Sequence, residues 1–511
     1  MILTISRAER FSPNSVEKDA AILEALSLRL KRMGFEVDTI GEEELTSSAV
    51  ADVYISMSRS ERAASILRQL REEGAIVIAP NIDAPILTNR LELEKELEKR
   101  GMPQMKGQGQ HGYWIKKCHG YTEAEDDIVF TKDDEELKVA LDSMEKKFGR
   151  NNVYVAPHVK GDLVKFYGVE GTDFFETFYP GDDGCTKFAH ERHNGKPHHY
   201  SFDKQALRNS LDSIACDYGV TFYGGDCIVD EKGETYIVDF NDWPSYSRCN
   251  EKAADAMLKA VIRIIANRGK IMPSEVCGYI FDYGGTLDTG GDHWGKVLWH
   301  AYQHQGVPID EQLFRKAYVH AERTLGKNPI IEPYFTFRDT LSTKLDIELD
   351  YIKGVIKGFN PSDWHDKLLE ELYERTKKHT KQSADVLRDL RKTSAKGMVL
   401  VSNFYGNVTT VLKEFGLDGL FDEVIESATV GIRKPDPAIF ALGVKALGTK
   451  PENTVVVGDS YDKDVVPASK AGCHAIWFYG EGWTDALPDG SEATRVITSI
   501  SAMRSLMKGI A

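Results

Sequence analysis

Tyr279-Ile280-Phe281-Asp282-Tyr283-Gly284-Gly285-Thr286-Leu287-Asp288 is the stretch on which the reading of the C-terminal half turns. Its apolar start predicts a short strand with Asp282 at the C-terminal end, and the two glycines turn the chain before Thr286. A carboxylate in that place lies where parallel sheets bind ligands. That is a nucleophile's position. Three further pieces come in order downstream: Val401-Ser402-Asn403, Arg433-Lys434-Pro435-Asp436-Pro437, and Val457-Gly458-Asp459-Ser460-Tyr461-Asp462-Lys463-Asp464. Each comes after a predicted strand or opens a predicted helix.

Together these four motifs resemble the haloacid dehalogenase-like (HAD) phosphohydrolase superfamily. The resemblance implies a Rossmann-like core over residues 275–290 and 393–511, with a helical cap over 291–392. It also implies roles for the motif residues. Asp282 would attack phosphorus and form an aspartyl phosphate, Ser402 would bind phosphoryl oxygens, and Lys434 would neutralise charge. Asp459 and Asp464 would hold magnesium beside Asp282 and the carbonyl of Gly284. One departure matters. Family phosphatases usually carry a second Asp two residues after the nucleophile, and Gly284 stands there, unable to act as acid or base. Asp288 lies further along the chain. Phosphatase chemistry is therefore expected to be slow, specialised, or lost in favour of a binding role. Within the insertion, residues 294–305, 311–323, 351–357, 364–378 and 383–392 are predicted as helices. Asp292, His293 and Trp294 at its entry are candidates to meet substrate, although a capping Asp and a packed aromatic would look the same.

The N-terminal half opens with alternating strands (2–5, 35–40, 51–57, 75–79) and helices (20–33, 61–73), the pattern of a parallel, doubly wound sheet. Residues 81–90, the helix 91–100 and the turn Gly101-Met102-Pro103 resemble the end of the first domain of ATP-grasp enzymes. The resemblance covers roughly residues 1–268. It implies a small α/β domain at 1–102 and a nucleotide-binding domain at 103–270, with the hydrolase half at 275–511. Lys116, ending the strand Tyr113-Trp114-Ile115-Lys116-Lys117, stands where the family places a phosphate-binding lysine. Two lysines ending a strand also read as a solvated edge. Lys165, after the Gly161-Asp162 turn, is the second candidate for the ATP phosphates. A predicted hairpin around Asp230-Glu231-Lys232-Gly233 puts Asp239 and Asn241 on one strand face, two residues apart. With Asp226 they form an oxygen-donor set suited to magnesium. The family pair is typically Glu-x-Asn, and here it is one methylene shorter. The phosphate-covering loop is placed in Cys118-His119-Gly120-Tyr121, and the cation-rich segment 187–199 is a candidate anion-binding loop or a solvated hairpin.

Composition sets the outer bounds. At 511 residues the chain is too long for one core, and 41% hydrophobic with 28% charged residues is globular. The formal charge of −15 argues against nucleic-acid or anionic-membrane partners. Seven scattered cysteines read as reduced thiols, and the N-terminus lacks signal-peptide features, so a cytoplasmic location is expected. The expectation is a bifunctional enzyme on small-molecule substrates: an Mg-ATP-dependent ligase acting through an acyl phosphate, fused to a phosphatase. A small-molecule kinase paired with a phosphatase, and an ATP-grasp enzyme regulated by a non-catalytic phospholigand sensor, remain alternatives. Homo-oligomerisation is left open.

Overall fold

The computed structural model describes all residues except 13–14, 79–82, 121–124, 184–193, 394–396, 485–486 and 509–511. The chain divides into two compact units, Met1–Val261 and Ile262–Ala511. The division falls within the helix Asn250–Ala266.

In the first unit, β1 (Ile2–Ser6), β2 (Val37–Gly41), β3 (Val53–Ser56) and β4 (Ile76–Ile78) form a parallel sheet in the order β2-β1-β3-β4. Helices Val16–Arg32 and Glu61–Glu72 make the crossovers. Two antiparallel sheets come next. The first has β5 (Tyr113–Lys117) between β6 (Ile128–Thr131) and β7 (Val153–Pro157). The second has the order β11-β10-β8-β9, built from β8 (Asp162–Val169), β9 (Phe175–Phe178), β10 (Phe222–Val229) and β11 (Thr235–Asp242). The predicted hairpin is β10 and β11, and its register sets Asp226 opposite Asp239. β5 is a central strand, so Lys116 is buried and not a solvated edge.

The second unit is built on a six-stranded, wholly parallel sheet, β14-β13-β12-β15-β16-β17. Its strands are β12 (Gly278–Phe281), β13 (Gly397–Ser402), β14 (Glu423–Glu426), β15 (Thr454–Gly458), β16 (His474–Phe478) and β17 (Arg495–Ile497). Every residue of β12 and β15 is buried, as expected of parallel strands covered on both faces. The first strand, β12, lies between β13 and β15, where the strand order reverses. Among the described residues, four α-helices intervene between β12 and β13: Trp294–Gln305, Glu311–Lys327, Phe337–Val355 and His365–Thr393.

Two of these helices differ from expectation. The predicted segment 351–357 reaches only the last turn of Phe337–Val355, whose buried Leu341, Leu345, Leu349 and Ile352 make its inner stripe. The segments 364–378 and 383–392 are one continuous helix. Its polar middle is satisfied without a break: the Thr380 hydroxyl donates to the Thr376 carbonyl at 2.9 Å, and the Ser383 hydroxyl to the Leu287 carbonyl at 2.8 Å. No described helix is long and apolar enough to cross a membrane.

Candidate active site

Asp282 immediately follows β12, and its backbone N–H donates to the Val457 carbonyl of β15 at 2.9 Å. β13 and β15 flank it, so the C-terminal ends of those two strands converge on the same point. Ser402, buried, ends β13, and Asp459 comes directly after β15. The wide helical turn Tyr461–Val465 brings Asp464 back, and its carboxylate accepts from the Ser460 N–H at 3.0 Å. Asp282, Asp459 and Asp464 each offer an oxygen, all within 4.8 Å of one another. Gly285 makes that approach possible. It holds φ +100°, and a Cβ there would stand 2.4 Å from Asp459 Oδ2.

Lys434 is the counter-charge. Its Nζ donates to Asp282 Oδ1 at 2.5 Å and to Asp464 Oδ1 at 2.6 Å. Burial opposes its charge, but the two carboxylates outweigh burial and hold its pKa above the ordinary lysine value. Asn403 fixes the lysine's backbone at two points, accepting from the Lys434 N–H and donating to its carbonyl, each at 3.0 Å. Asp459 has no lysine contact among the described residues and accepts instead from the Thr286 hydroxyl at 3.0 Å. Burial, then Asp464 and Asp282, push its carboxyl well above the usual range, and burial leads the upward shift of Asp464. Three crowded carboxylates whose charge one ammonium offsets only in part are an oxygen-donor set of the kind a hard divalent cation takes. The residues fit magnesium.

Asp282, Gly284, Ser402 and Lys434 open on a cavity of about 170 Å³ whose far side is made by the four-helix insertion. His293 and Trp294, the candidates to meet substrate, line it. Asp292 does not; it pairs with Arg375 at 3.0 Å and accepts from the Glu481 N–H. The capping residue of Trp294–Gln305 is His293, whose Nδ1 accepts from the Gly295 N–H at 3.0 Å. Asp288 is also turned away. It accepts from the Gly285 N–H and from Trp294 Nε1 at 2.7 and 2.9 Å, and burial pushes its pKa up to about 7. It does not stand in for the missing carboxylate at 284. Sequence reasoning missed Tyr318, Glu322, Lys344 and Tyr405, which also line the cavity. Charged residues at helical spacing read as a solvated face until the fold turns them inward.

The first unit contains a larger cavity, about 340 Å³, lined by all five of the N-terminal candidates. Lys165 Nζ lies 2.8 Å from Asp226 Oδ1, and Asn241 Nδ2 donates to Asp239 Oδ2 at 3.1 Å. Burial, then the neighbouring Arg90, lower the Lys116 pKa to about 8. Arg90, 3.3 Å from Asp239, was not singled out from sequence, nor were Arg7 and Arg59. Arg59 pairs with Asp242 at 2.7 Å, whose buried second oxygen accepts no hydrogen bond among the described residues. Of the predicted loops, Gly120 lines the cavity and residue 121 lies outside the described residues, as do 187–193 of the cation-rich segment. His199 pairs with Asp182 and His198 stacks on Tyr200.

A carboxylate directly after a central parallel strand is thus held by a buried lysine beside two more carboxylates. Residues 278–472 match the haloacid dehalogenase-like hydrolase family, and the C-terminal half accordingly carries a HAD-like hydrolase domain. The chain is 35% identical over 100 residues to glyceraldehyde 3-phosphate phosphatase of Methanothermobacter thermautotrophicus, covering 19% of this chain and 44% of that protein. It is 41% identical over 81 residues to phosphoserine phosphatase of Thermus thermophilus, 16% and 32% of the two chains. It is 29% identical over 143 residues to phosphoglycolate phosphatase of Aquifex aeolicus, 25% and 67%. The first two matches span less than half of those proteins.

Proposed function

We propose that the C-terminal unit is a magnesium-dependent phosphohydrolase acting on a small phosphorylated metabolite. The observation that carries this reading is the contact of Lys434 with both Asp282 and Asp464 inside the carboxylate triad. Asp282 would attack phosphorus and expel the alcohol, leaving an aspartyl phosphate that water then cleaves. Lys434 neutralises charge on nucleophile and phosphoryl group, and Ser402 donates to a phosphoryl oxygen. Asp282, Asp459, Asp464 and the Gly284 carbonyl would hold the metal, which supplies further neutralisation of the transferring group. With no carboxylate at 284, the leaving alcohol receives no proton from that side. Activated esters should therefore react far faster than alkyl esters. The test is hydrolysis of p-nitrophenyl phosphate and alkyl phosphates with magnesium, against Asp282→Asn as control. No turnover of any ester, in the wild type or in Gly284→Asp, would refute the reading.

We further infer that the N-terminal unit is an ATP-grasp enzyme using Mg-ATP, a ligase that activates a carboxylate as an acyl phosphate, which would make the protein bifunctional. Support comes from Lys116, Lys165, Asp226, Asp239 and Asn241 lining one cavity, with cations and oxygen donors apt for nucleotide phosphates and magnesium. ADP release from ATP, measured against amino acids, small carboxylates and polyols with Asp239→Ala as control, tests it. Stimulation needing a carboxylate and an amine supports the ligase, and stimulation by one hydroxyl compound with appearance of its phosphate replaces it by a kinase. Absence of ATP binding would overturn both.

A further inference from the structure

The insertion side of the smaller cavity presents two opposite charges across from the carboxylate triad's lysine, Lys344 and Glu322. Lys344, in the helix Phe337–Val355, is buried and ion-pairs with Glu322 of Glu311–Lys327, and its ammonium lies 4.4 Å from the centre of the Tyr318 ring. Glu322 also accepts from the Tyr405 hydroxyl at 3.2 Å. Burial works against both ions, yet each holds the other charged: the Lys344 pKa is raised and the Glu322 pKa lowered. The closed pair thus leaves neither charge deep in the pocket uncompensated.

The whole lining is also balanced. Its acids are Glu322 and the three triad carboxylates, and its bases are Lys344, Lys434, Arg433 and Lys463. His293 adds nothing, because burial and then Lys463 push its pKa down to about 4. A divalent cation on the triad leaves a surplus of two positive charges, which the dianionic phosphoryl group of a monoester consumes. A further carboxylate on the leaving group would meet Glu322 with no charge left to offset it. Arg433 and Lys463, exposed and in no ion pair among the described residues, are the two charges this count spends on the phosphoryl group.

Resting on the phosphohydrolase reading above, we propose that the Glu322–Lys344 pair makes the site select phosphomonoesters whose leaving group carries no net charge, a polyol or a zwitterionic amino acid, over those bearing an additional carboxylate. The experiment compares kcat/KM for glycerol 3-phosphate, phosphoserine and phosphoglycolate. It also measures their Kd by calorimetry on the magnesium-loaded Asp282→Asn protein, so that binding is read without turnover. The wild type should prefer the first two at least about tenfold, which is about 1.4 kcal/mol. Glu322→Gln, which keeps the shape of the pair, should shift the ratio toward phosphoglycolate by a similar factor. Lys344→Met, which bares the carboxylate, should shift it the other way. Equal or better use of phosphoglycolate by the wild type, or the same ratio in both variants, would overturn the proposal. Failure of the hydrolase reading appears separately, as no turnover of any ester, with the Kd series still deciding selectivity.

Discussion

Lys434 and Lys116 are both buried lysines facing a cavity, 4% and 7% exposed, and their surroundings drive them in opposite directions. Lys434 touches two carboxylates at 2.5 and 2.6 Å and is held more basic than a free lysine. Lys116 makes no ion pair among the described residues, and burial followed by Arg90 lowers its pKa to about 8. Burial alone therefore does not set a lysine's role; the contacting partner does. In the C-terminal unit the charge of Lys434 is already spent on two carboxylates, and the triad's unmet need is for a second cation. The N-terminal cavity keeps a positive charge without a contacting acid, and its unmet need is for an anion.

The largest effect expected from breaking this contrast is at Asp282. Asp282→Asn should lower phosphate-ester hydrolysis at least ~1,000-fold, because a carboxamide cannot form the covalent intermediate. On the ligase reading proposed above, ATP turnover by the first unit should be untouched, and a parallel loss of it would argue that the activities are not separable. Next is Gly284→Asp. A Cβ at 284 would meet no atom within 4 Å, and the residue lines the cavity, so the added carboxylate enters the space beside the leaving group. General acid catalysis is typically worth about 100-fold or more, and the gain should be concentrated on alkyl esters. An unchanged ratio of p-nitrophenyl to alkyl phosphate hydrolysis would place the limitation elsewhere.

The two lysines should also respond oppositely to the same substitution. Lys434→Met leaves buried carboxylates without their ammonium and should cost about 3–5 kcal/mol in metal-free buffer at pH 7. Lys116→Met removes a group whose folded pKa lies below its unfolded value. The penalty of charging Lys116 is fully present below about pH 8 and fades as the pH rises toward 10.5, so at pH 7 the variant should be more stable, by at most about 3 kcal/mol. It should at the same time lose ATP affinity. Denaturant unfolding at pH 7 and pH 10 checks both signs, and destabilisation by Lys116→Met at pH 7 would remove the contrast.

How much of this was legible in sequence depends on how local the determinants are. Asp282 and its Gly-rich turn could be read because one strand and one turn place them, and the β10 and β11 hairpin because its turn residues lie between two alternating runs. Helix ends in the insertion were misread where polarity misled. Thr380 falls in the gap left between 364–378 and 383–392, but it is buried and bonded to the Thr376 carbonyl of its own helix, and the adjacent Ser383 is buried and bonded to the Leu287 carbonyl. Glu322 and Lys344 come from different helices and meet only through the packing of those helices. Lys116 looked like a solvated edge because strand order within a sheet is not written in the strand. Arg7, Arg59 and Arg90 reach their cavity from separate segments, so no spacing announces them.

The smallest expected effect separates the metal from the lysine in the C-terminal site. The triad packs three carboxylates whose oxygens approach within 4.8 Å, and Lys434 contacts only two of the residues, leaving Asp459 held by the Thr286 hydroxyl. Magnesium at about 100 times its Kd should stabilise the unit by about 2.7 kcal/mol, and chelation should remove that gain. Asp459→Asn relieves the like-charge crowding while an amide oxygen can still accept from Thr286. In metal-free buffer it should therefore raise the melting temperature of the C-terminal transition by a few degrees, a shift on the order of 2–4 °C per kcal/mol for a unit of this size. The same variant should abolish the magnesium response. A calorimetric scan of the full chain with and without the ion reads both at once. A variant that melts lower than wild type without metal would mean that Asp459 is a structural acceptor and that the triad is not a cation site held in waiting by its own repulsion.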